Sequence, residues 1–265
     1  MAAADLIRLV RALGAPYGLE RSVKIMPGML TDDRCLLSVG RAALGGAPLD
    51  RLLSIGRELG LPPGFAEQLP AALQNADVVH FGYEGAAGRE TYKLYFEYAS
   101  EARAAIDQGR STPMLVHLAY KWVPRQPAAG AVSRYTWIPC PTRRRLETEL
   151  RSMLPIELAP RALGCVLSLV SQAASFADSG ELLLMAVEET GNARRSCDLN
   201  VYDAGLRLRD IADLLVSALR DFEVPAEWAR SLFDGSAGKA LGHLSAGVGR
   251  DDREFVTIYF GVEGH

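Results

Sequence analysis

Five hairpin signals, each separated from the next by one or two helical stretches, constrain this 265-residue chain more than any other feature. Leu19–Met26 and Arg34–Gly40 flank Pro27-Gly28, and Asp77–Glu84 and Thr91–Tyr98 flank the turn Gly85–Gly88. Met114–Trp122 and Ser133–Cys140 flank a loop holding Pro124, Pro127 and Gly130. Glu181–Glu188 and Ser196–Asp203 flank Gly191-Asn192; Ala240–Val248 and Glu254–Val262 flank Gly249–Asp252. Gly, Pro, Asn and Asp between alternating runs are the chemistry of tight turns. Helical spacing occupies Ala2–Leu13, Pro48–Leu59, Gly64–Leu73, Ser100–Gln108, Thr142–Met153, Ala159–Phe176, Leu208–Phe222 and Ala226–Phe233. A supersecondary unit repeated at a spacing of roughly fifty residues is an architectural signal. Hairpins in series form an antiparallel sheet, and about ten strands remove their open edges by closing. The expectation is α+β: one domain over 1–265, a closed antiparallel barrel of about ten strands with its helices outside.

The strand period of two assigns the faces. Cys35/Leu37/Val39, Val79/Phe81/Tyr83, Leu94/Phe96, Val116/Leu118/Tyr120 and Val256/Ile258/Phe260 form apolar stripes for the helices to cover. The opposite faces then line a lumen. In Thr91–Tyr98 that face reads Lys93, Tyr95, Glu97. Elsewhere it carries Glu20, Ser22, Lys24; Arg34, Ser38; His80, Gly82; His117, Lys121; Arg134, Thr136; Asp198, Asn200, Tyr202; His243, Ser245; Thr257, Tyr259. An interior this polar is costly unless it is wet or holds something charged.

Composition narrows the function. A net charge of −3 gives no basic field for nucleic acid, and Arg143–Arg145 reads as the solvated opening of a helix. Four cysteines (Cys35, Cys140, Cys165, Cys197) contain no C-x-x-C pair, and four histidines are dispersed. No zinc site and no metal ligand set is expected from such spacing, and reduced thiols are the default. No apolar run has membrane-spanning length, and Met1–Val10 lacks a signal-peptide layout. The expectation is a soluble cytoplasmic protein without membrane or nucleic-acid partners.

With the strand–strand–helix repeat and Lys-x-Tyr (Lys93, Tyr95) on a barrel strand, the chain resembles the ABBA-fold prenyltransferases. Leu19-Glu20-Arg21-Ser22-Val23-Lys24-Ile25 followed by Arg34-Cys35-Leu36-Leu37 resembles in particular the opening hairpin of the cyanobactin-type peptide prenyltransferases. The likeness extends through Asn75–Tyr98 and returns in His243–Val262; from about Ala99 to Gln172 only the order of elements matches. The chain departs from the pattern at Thr257, where relatives tend to carry a basic residue, and at Asp198 and Asn200. The resemblance implies a PT barrel. It further implies transfer of an isoprenyl group from dimethylallyl or geranyl diphosphate to a side chain of a ribosomal, often cyclic, peptide. By position Glu20 looks like the family's glutamate beside the acceptor, Arg34 and Lys93 like its diphosphate ligands, and Tyr259 like its final-strand tyrosine.

That chemistry assigns roles to the lumenal residues. A departing diphosphate needs fixed cations, which Arg34 and Lys93 supply with Lys121 and Arg134 as additions. Tyr95, Tyr202 and Tyr259 complete the diphosphate site by shielding the allylic cation with aromatic faces. Without a D-D-x-x-D cluster, Mg²⁺ is expected to arrive bound to the diphosphate. Glu20 is the candidate general base. Glu97 and Asp198, with His80 and His243, are the acceptor-binding candidates. Together with Glu20 the two acids form a patch suited to a guanidinium, while a Tyr or Trp acceptor is equally compatible. Two other readings keep the fold: a prenyltransferase for small aromatic molecules, and a barrel that binds a peptide or lipid without chemistry. The short stretch before the first hairpin favours an open mouth and hence a peptide.

Overall fold

Among the described residues every strand pairs antiparallel with its neighbours, and the last one returns to the first. The structure is a computed structural model that describes residues 3–86, 88–175, 182–225, 227, 228 and 233–265. The strands are β1 (Gly18–Met26), β2 (Met29–Thr31), β3 (Arg34–Gly40), β4 (Val78–Ala86), β5 (Arg89–Glu97), β6 (Met114–Val123), β7 (Gln126–Ile138), β8 (Leu183–Glu189), β9 (Asn192–Asn200), β10 (Leu241–Val248) and β11 (Glu254–Gly264). Ten of them close a barrel through β1–β11, where Ser22 faces Tyr259 and Lys24 faces Thr257. The three-residue β2 pairs only with the end of β1. Pro27-Gly28 therefore turns the chain into β2, and β3 pairs with the first half of β1, where a single first hairpin was expected.

The helices cover the outer strand faces as two apolar layers. α1 (Ala3–Arg11), α2 (Pro48–Glu58), α3 (Pro63–Ala66) and α4 (Leu69–Leu73) pack over β3–β6, burying Leu37, Val39, Val79, Phe81, Leu94, Phe96 and Trp122. The Trp122 indole N–H donates to the Leu59 carbonyl at 2.9 Å, which ties β6 to the end of α2. α6 (Arg143–Met153), α7 (Pro160–Ala173) and α8 (Ala212–Asp221) cover β8–β11 and β1. α7 buries Ala162, Leu163, Val166, Leu169, Val170 and Ala173, a broad apolar face at helical spacing. Truncating one such leucine to alanine costs about 2–5 kcal/mol. α5 (Ala99–Asp107) packs on β6. The expected helix Gly64–Leu73 is two short ones, and Leu208–Phe222 opens with a 3₁₀ turn at Leu208–Ile211. Ala226–Phe233 falls largely outside the described residues, as does Glu181. Among the described residues no helix is long and apolar enough to cross a membrane.

The third hairpin differs most from expectation. β6 turns at Pro124-Arg125, with Arg125 at φ +63, and Val123 already faces Gln126. Pro127 and Gly130 thus belong to β7 rather than to a loop, beside an irregularity that absorbs the extra residues. Downstream the faces are reversed: Ser133 is opposite Ala119 and Tyr135 opposite His117, inside the barrel. Arg134 pairs with Leu118 and Glu188 on the outer face and is exposed. Arg134 is therefore not a lumenal cation, and Thr136 shares its outward face. The cause is an aromatic lumen: Tyr135 mimics the apolar face of a strand while Arg134 and Thr136 mimic its polar one.

Candidate active site

The lumen is stratified along the barrel axis. At the end formed by the start of β3 and β5 and the end of β4, Glu84 is surrounded by cations. The Lys93 ammonium lies 2.7 Å from Glu84 Oε2 and the Lys24 ammonium 3.7 Å from Oε1, where the Arg34 guanidinium also pairs. Arg34 Nε donates to Ser22 Oγ at 3.1 Å. Beside this group, Lys121 lies 3.7 Å from Glu189 Oε2, while Ser133 Oγ donates to that oxygen at 3.1 Å and Arg250 reaches Oε1 at 2.5 Å. Among the described residues five cations thus meet two carboxylates. Glu84 and Glu189 are not among the lumenal residues expected from the sequence, although Glu84 continues the His80, Gly82 alternation by one step. Burial works to raise the Glu84 carboxyl, but Arg34, Lys93 and Lys24 hold it well below the usual range. Burial lowers the Lys93 ammonium to about 8 against the opposing pull of Glu84. Arg34 stays charged: burial acts to lower it, and Glu84 raises it further.

Above the cations sits an aromatic layer. Tyr95 and Tyr135 pack with ring centroids 5.9 Å apart, and Lys121 lies 6.0 Å from the Tyr135 centroid. Tyr259 stacks on His243 at 3.8 Å and 10°. Burial raises the phenols of Tyr95 and Tyr259, so both rings are neutral donors at physiological pH. Tyr95 and Tyr259 thus face the lumen, as the strand period predicts, and line its cavity.

The mouth encloses a cavity of about 370 Å³ lined by two polar groups that face each other. On one side Tyr202 donates to Glu20 Oε1 at 2.5 Å, and His243 lies with Nε2 3.5 Å from Glu20 Oε2 and Nδ1 2.9 Å from Asp198 Oδ2. Burial disfavours the His243 charge, yet Asp198 and Glu20 raise it to about 10, so the imidazole is a cation between two carboxylates. Tyr202 is not on β9 with Asp198 but in the 3₁₀ turn Tyr202–Ala204 beyond it. Its hydroxyl therefore bonds Glu20 rather than the cation group, while its ring lines the cavity. The backbone is irregular here: β10 shifts register between Leu241 and His243, and β1 between Leu19 and Arg21. Gly242 sits at this step, where a Cβ would lie 2.4 Å from Glu20 Oε1 and 2.7 Å from the Tyr202 ring. Only glycine leaves room for the Tyr202–Glu20 bond.

On the other side Ser38 Oγ lies 2.7 Å from His80 Nδ1, and His80 Nε2 lies 2.7 Å from Glu97 Oε2. His117 faces Glu97 across β5–β6. Although burial works to raise it, the hydrogen bond from His80 and the neighbouring imidazoles hold Glu97 at about 2. Burial depresses His117 to about 4, so it is neutral. The candidates Glu20, Glu97, Asp198, His80 and His243 all line this one cavity. The four cysteines are free, and burial raises their thiols to about 11 or 12, which leaves them inert.

No protein-family model matches the chain, and no curated protein matches its sequence. Solved structures do. PriB in its binary complex with product diphosphate is 16% identical with a TM-score of 0.62, covering 92% of this chain and 79% of that one. The 5-dimethylallyltryptophan synthase from Streptomyces coelicolor is 15% identical with a TM-score of 0.62, covering 92% and 80%. The 6-dimethylallyltryptophan synthase from Micromonospora olivasterospora, in complex with DMASPP and Trp, is 13% identical with a TM-score of 0.59, covering 92% and 81%. Ten closed antiparallel strands with helices outside, superposing on these barrels over nine-tenths of the chain, establish that this protein has the ABBA prenyltransferase-barrel fold.

Proposed function

We propose that this protein transfers an isoprenyl group from an allylic diphosphate, dimethylallyl or geranyl, to a side chain of a peptide. The observation that carries the reading is the stratified lumen: cations at one depth, tyrosines above them, and carboxylates at the mouth. The diphosphate would sit on Lys93, Arg34 and Lys121, with Lys24 and Arg250 adding charge. Heterolysis of the allylic C–O bond leaves the electron pair on diphosphate, where those cations stabilise it. The allylic cation then lies against Tyr95, Tyr135 and Tyr259. Attack by the acceptor forms the new bond to carbon and releases one proton, which Glu20 accepts.

Glu84 and Glu189 already accept from two or more cations each, so Mg²⁺ would be held chiefly by diphosphate oxygens. Three carboxylates, Glu20, Glu97 and Asp198, line the mouth, which favours a cationic acceptor, arginine, over tyrosine or tryptophan. The aromatic walls and the likeness to tryptophan prenyltransferases favour a second reading, a small aromatic acceptor.

The test incubates the protein with Mg²⁺, dimethylallyl or geranyl diphosphate, and cyclic peptides that each display one Arg, Tyr or Trp, with free tryptophan in a parallel arm. Intact mass is the readout. A gain of one prenyl unit on the Arg peptide, lost in Lys93→Ala, is the expected result. A gain on free tryptophan alone would select the second reading. No gain in any arm, together with no binding of the diphosphate by calorimetry, would overturn prenyl transfer.

A further inference from the structure

Three lumenal side chains from consecutive strands converge on the side of the cavity opposite Glu20. His80 comes from β4, Glu97 from β5 and His117 from β6. Glu97 and His117 are direct cross-strand partners, while His80 is opposite Tyr95 and so diagonal to Glu97. Each offers one ligand atom, and the three atoms lie within 4.8 Å of one another. We propose that His80, Glu97 and His117 form a site for a divalent transition-metal ion of the zinc class, with an open coordination position turned into the cavity.

The chemistry of the set fits. Zinc takes nitrogen and carboxylate ligands at about 2.0–2.2 Å, and sites with three protein ligands keep the fourth position for water or substrate. Two imidazoles and a carboxylate select that class over Mg²⁺, which prefers an all-oxygen shell. A tetrahedral site sets ligand atoms about 3.3 Å apart, so a metal would replace the proton between His80 Nε2 and Glu97 Oε2, now 2.7 Å apart, with those atoms parting slightly and the third ligand, within 4.8 Å, moving in. Ser38 supplies an outer contact. Its hydroxyl, 2.7 Å from His80 Nδ1, can accept from that nitrogen and so free the Nε2 lone pair for a metal.

His117 adds an independent observation. It makes ring contacts with His80 and Tyr135, but among the described residues no protein group hydrogen-bonds its ring nitrogens. A histidine in the lumen with open nitrogens beside a carboxylate is placed as a ligand rather than as packing. The other two histidines are committed elsewhere. His243 is held by Asp198 and Glu20, and His265 stacks on Tyr17. A metal at this point would present its open position to an acceptor heteroatom and favour the deprotonated form of that atom. That role rests on the proposed transfer; occupancy of the site does not.

The test therefore uses no prenyl diphosphate and no acceptor, so failure of this site and failure of transfer are separate results. Protein stripped with a chelator is titrated with Co²⁺, reading the visible d–d bands, and then with Zn²⁺ in competition. The expected result is one equivalent of Co²⁺ with bands of a low-coordinate site, displaced by Zn²⁺. His117→Ala and Glu97→Gln should weaken binding about 100-fold or more, Ser38→Ala about tenfold, and His265→Gln not at all. If His117→Ala fails to fold by near-UV circular dichroism, His117→Phe keeps a ring in place and reports the same loss. Absence of stoichiometric binding in the wild type, or binding that survives loss of His117 and Glu97, would overturn the site.

Discussion

His243 makes the pH dependence of stability predictable in sign and size. Its imidazole sits 2.9 Å from Asp198, 3.5 Å from Glu20 and stacked on Tyr259, and its pKa in the fold is about 10 against an unfolded value near 6.5. Between those pH values the folded chain holds a proton that the unfolded chain has released. The stabilisation is therefore complete below about pH 6.5 and is lost as pH rises through 10, at close to 1.4 kcal/mol per pH unit. Over the whole window it amounts to about 5 kcal/mol, an upper bound because the site is not fully shielded from water. Lys93 acts in the opposite sense. Its folded pKa of about 8 lies below the ordinary 10.5, so from pH 8 upward the unfolded chain binds the extra proton and the Lys93 contribution rises. The wild-type profile should fall steeply from pH 7 to 8 and flatten above it. Urea unfolding of wild type and His243→Asn across this range isolates the first effect, since titrations not coupled to the imidazole cancel in the difference. The gap should shrink by about 1.4 kcal/mol per pH unit between pH 7 and 9. A gap constant with pH, or an imidazole carbon resonance of His243 titrating near 6.5 by NMR, would refute the charged assignment.

Three further substitutions probe single contacts. Glu84→Gln removes the carboxylate shared by Arg34, Lys93 and Lys24; it should lower stability by about 3–5 kcal/mol and tighten inorganic pyrophosphate binding measured by calorimetry. Gly242→Ala places a Cβ 2.4 Å from Glu20 Oε1, so it should displace Tyr202 and cut turnover while leaving pyrophosphate affinity unchanged, because the cation layer lies deeper in the lumen. Tyr92 is fully buried, and its hydroxyl has no hydrogen-bond partner among the described residues. Tyr92→Phe should therefore raise the unfolding free energy by about 1 kcal/mol in denaturant melts, and a loss of stability would contradict the assignment.

Where strand faces alternate cleanly between charge and aliphatic carbon, the sequence carries the architecture. Lys93, Tyr95 and Glu97 against Leu94 and Phe96 fix β5, and Glu20, Ser22 and Lys24 fix β1, because a one-residue slip would bury charge under helices. That logic fails at β7, where Tyr135 and Ser133 line the lumen and look apolar or neutral, while Arg134 faces solvent. Tyr202 was misplaced for a different reason. The strand ends at Asn200, whose side-chain oxygen accepts from the Tyr202 backbone N–H at 3.1 Å and turns the chain into a 3₁₀ bend that a period of two cannot register. The His80–Glu97–His117 group was invisible because its members are 17 and 20 residues apart, a spacing set by barrel closure rather than by any local motif.

The stratification also constrains how two substrates of opposite charge would share one lumen. An anionic diphosphate is drawn past the carboxylates of the mouth only if its net interaction with the deeper cations exceeds that repulsion. Glu84 and Glu189 partly neutralise those cations, yet three positive charges remain over two carboxylates among the described residues. Under the proposed transfer a cationic acceptor would experience the reverse field and be held at the mouth by Glu20 and Asp198. Opposed fields at the two depths would thus fix both the order along the axis and the orientation of each molecule, with the allylic carbon between them against Tyr95 and Tyr259. Under the proposed transfer, raising ionic strength should weaken diphosphate binding more than acceptor binding, because a diphosphate carries more charge than a guanidinium and its cations include the partly exposed Lys24 and Arg250, whereas Glu20 and Asp198 are almost fully buried. An equal loss for both substrates would show that the two charge layers are not the source of the order.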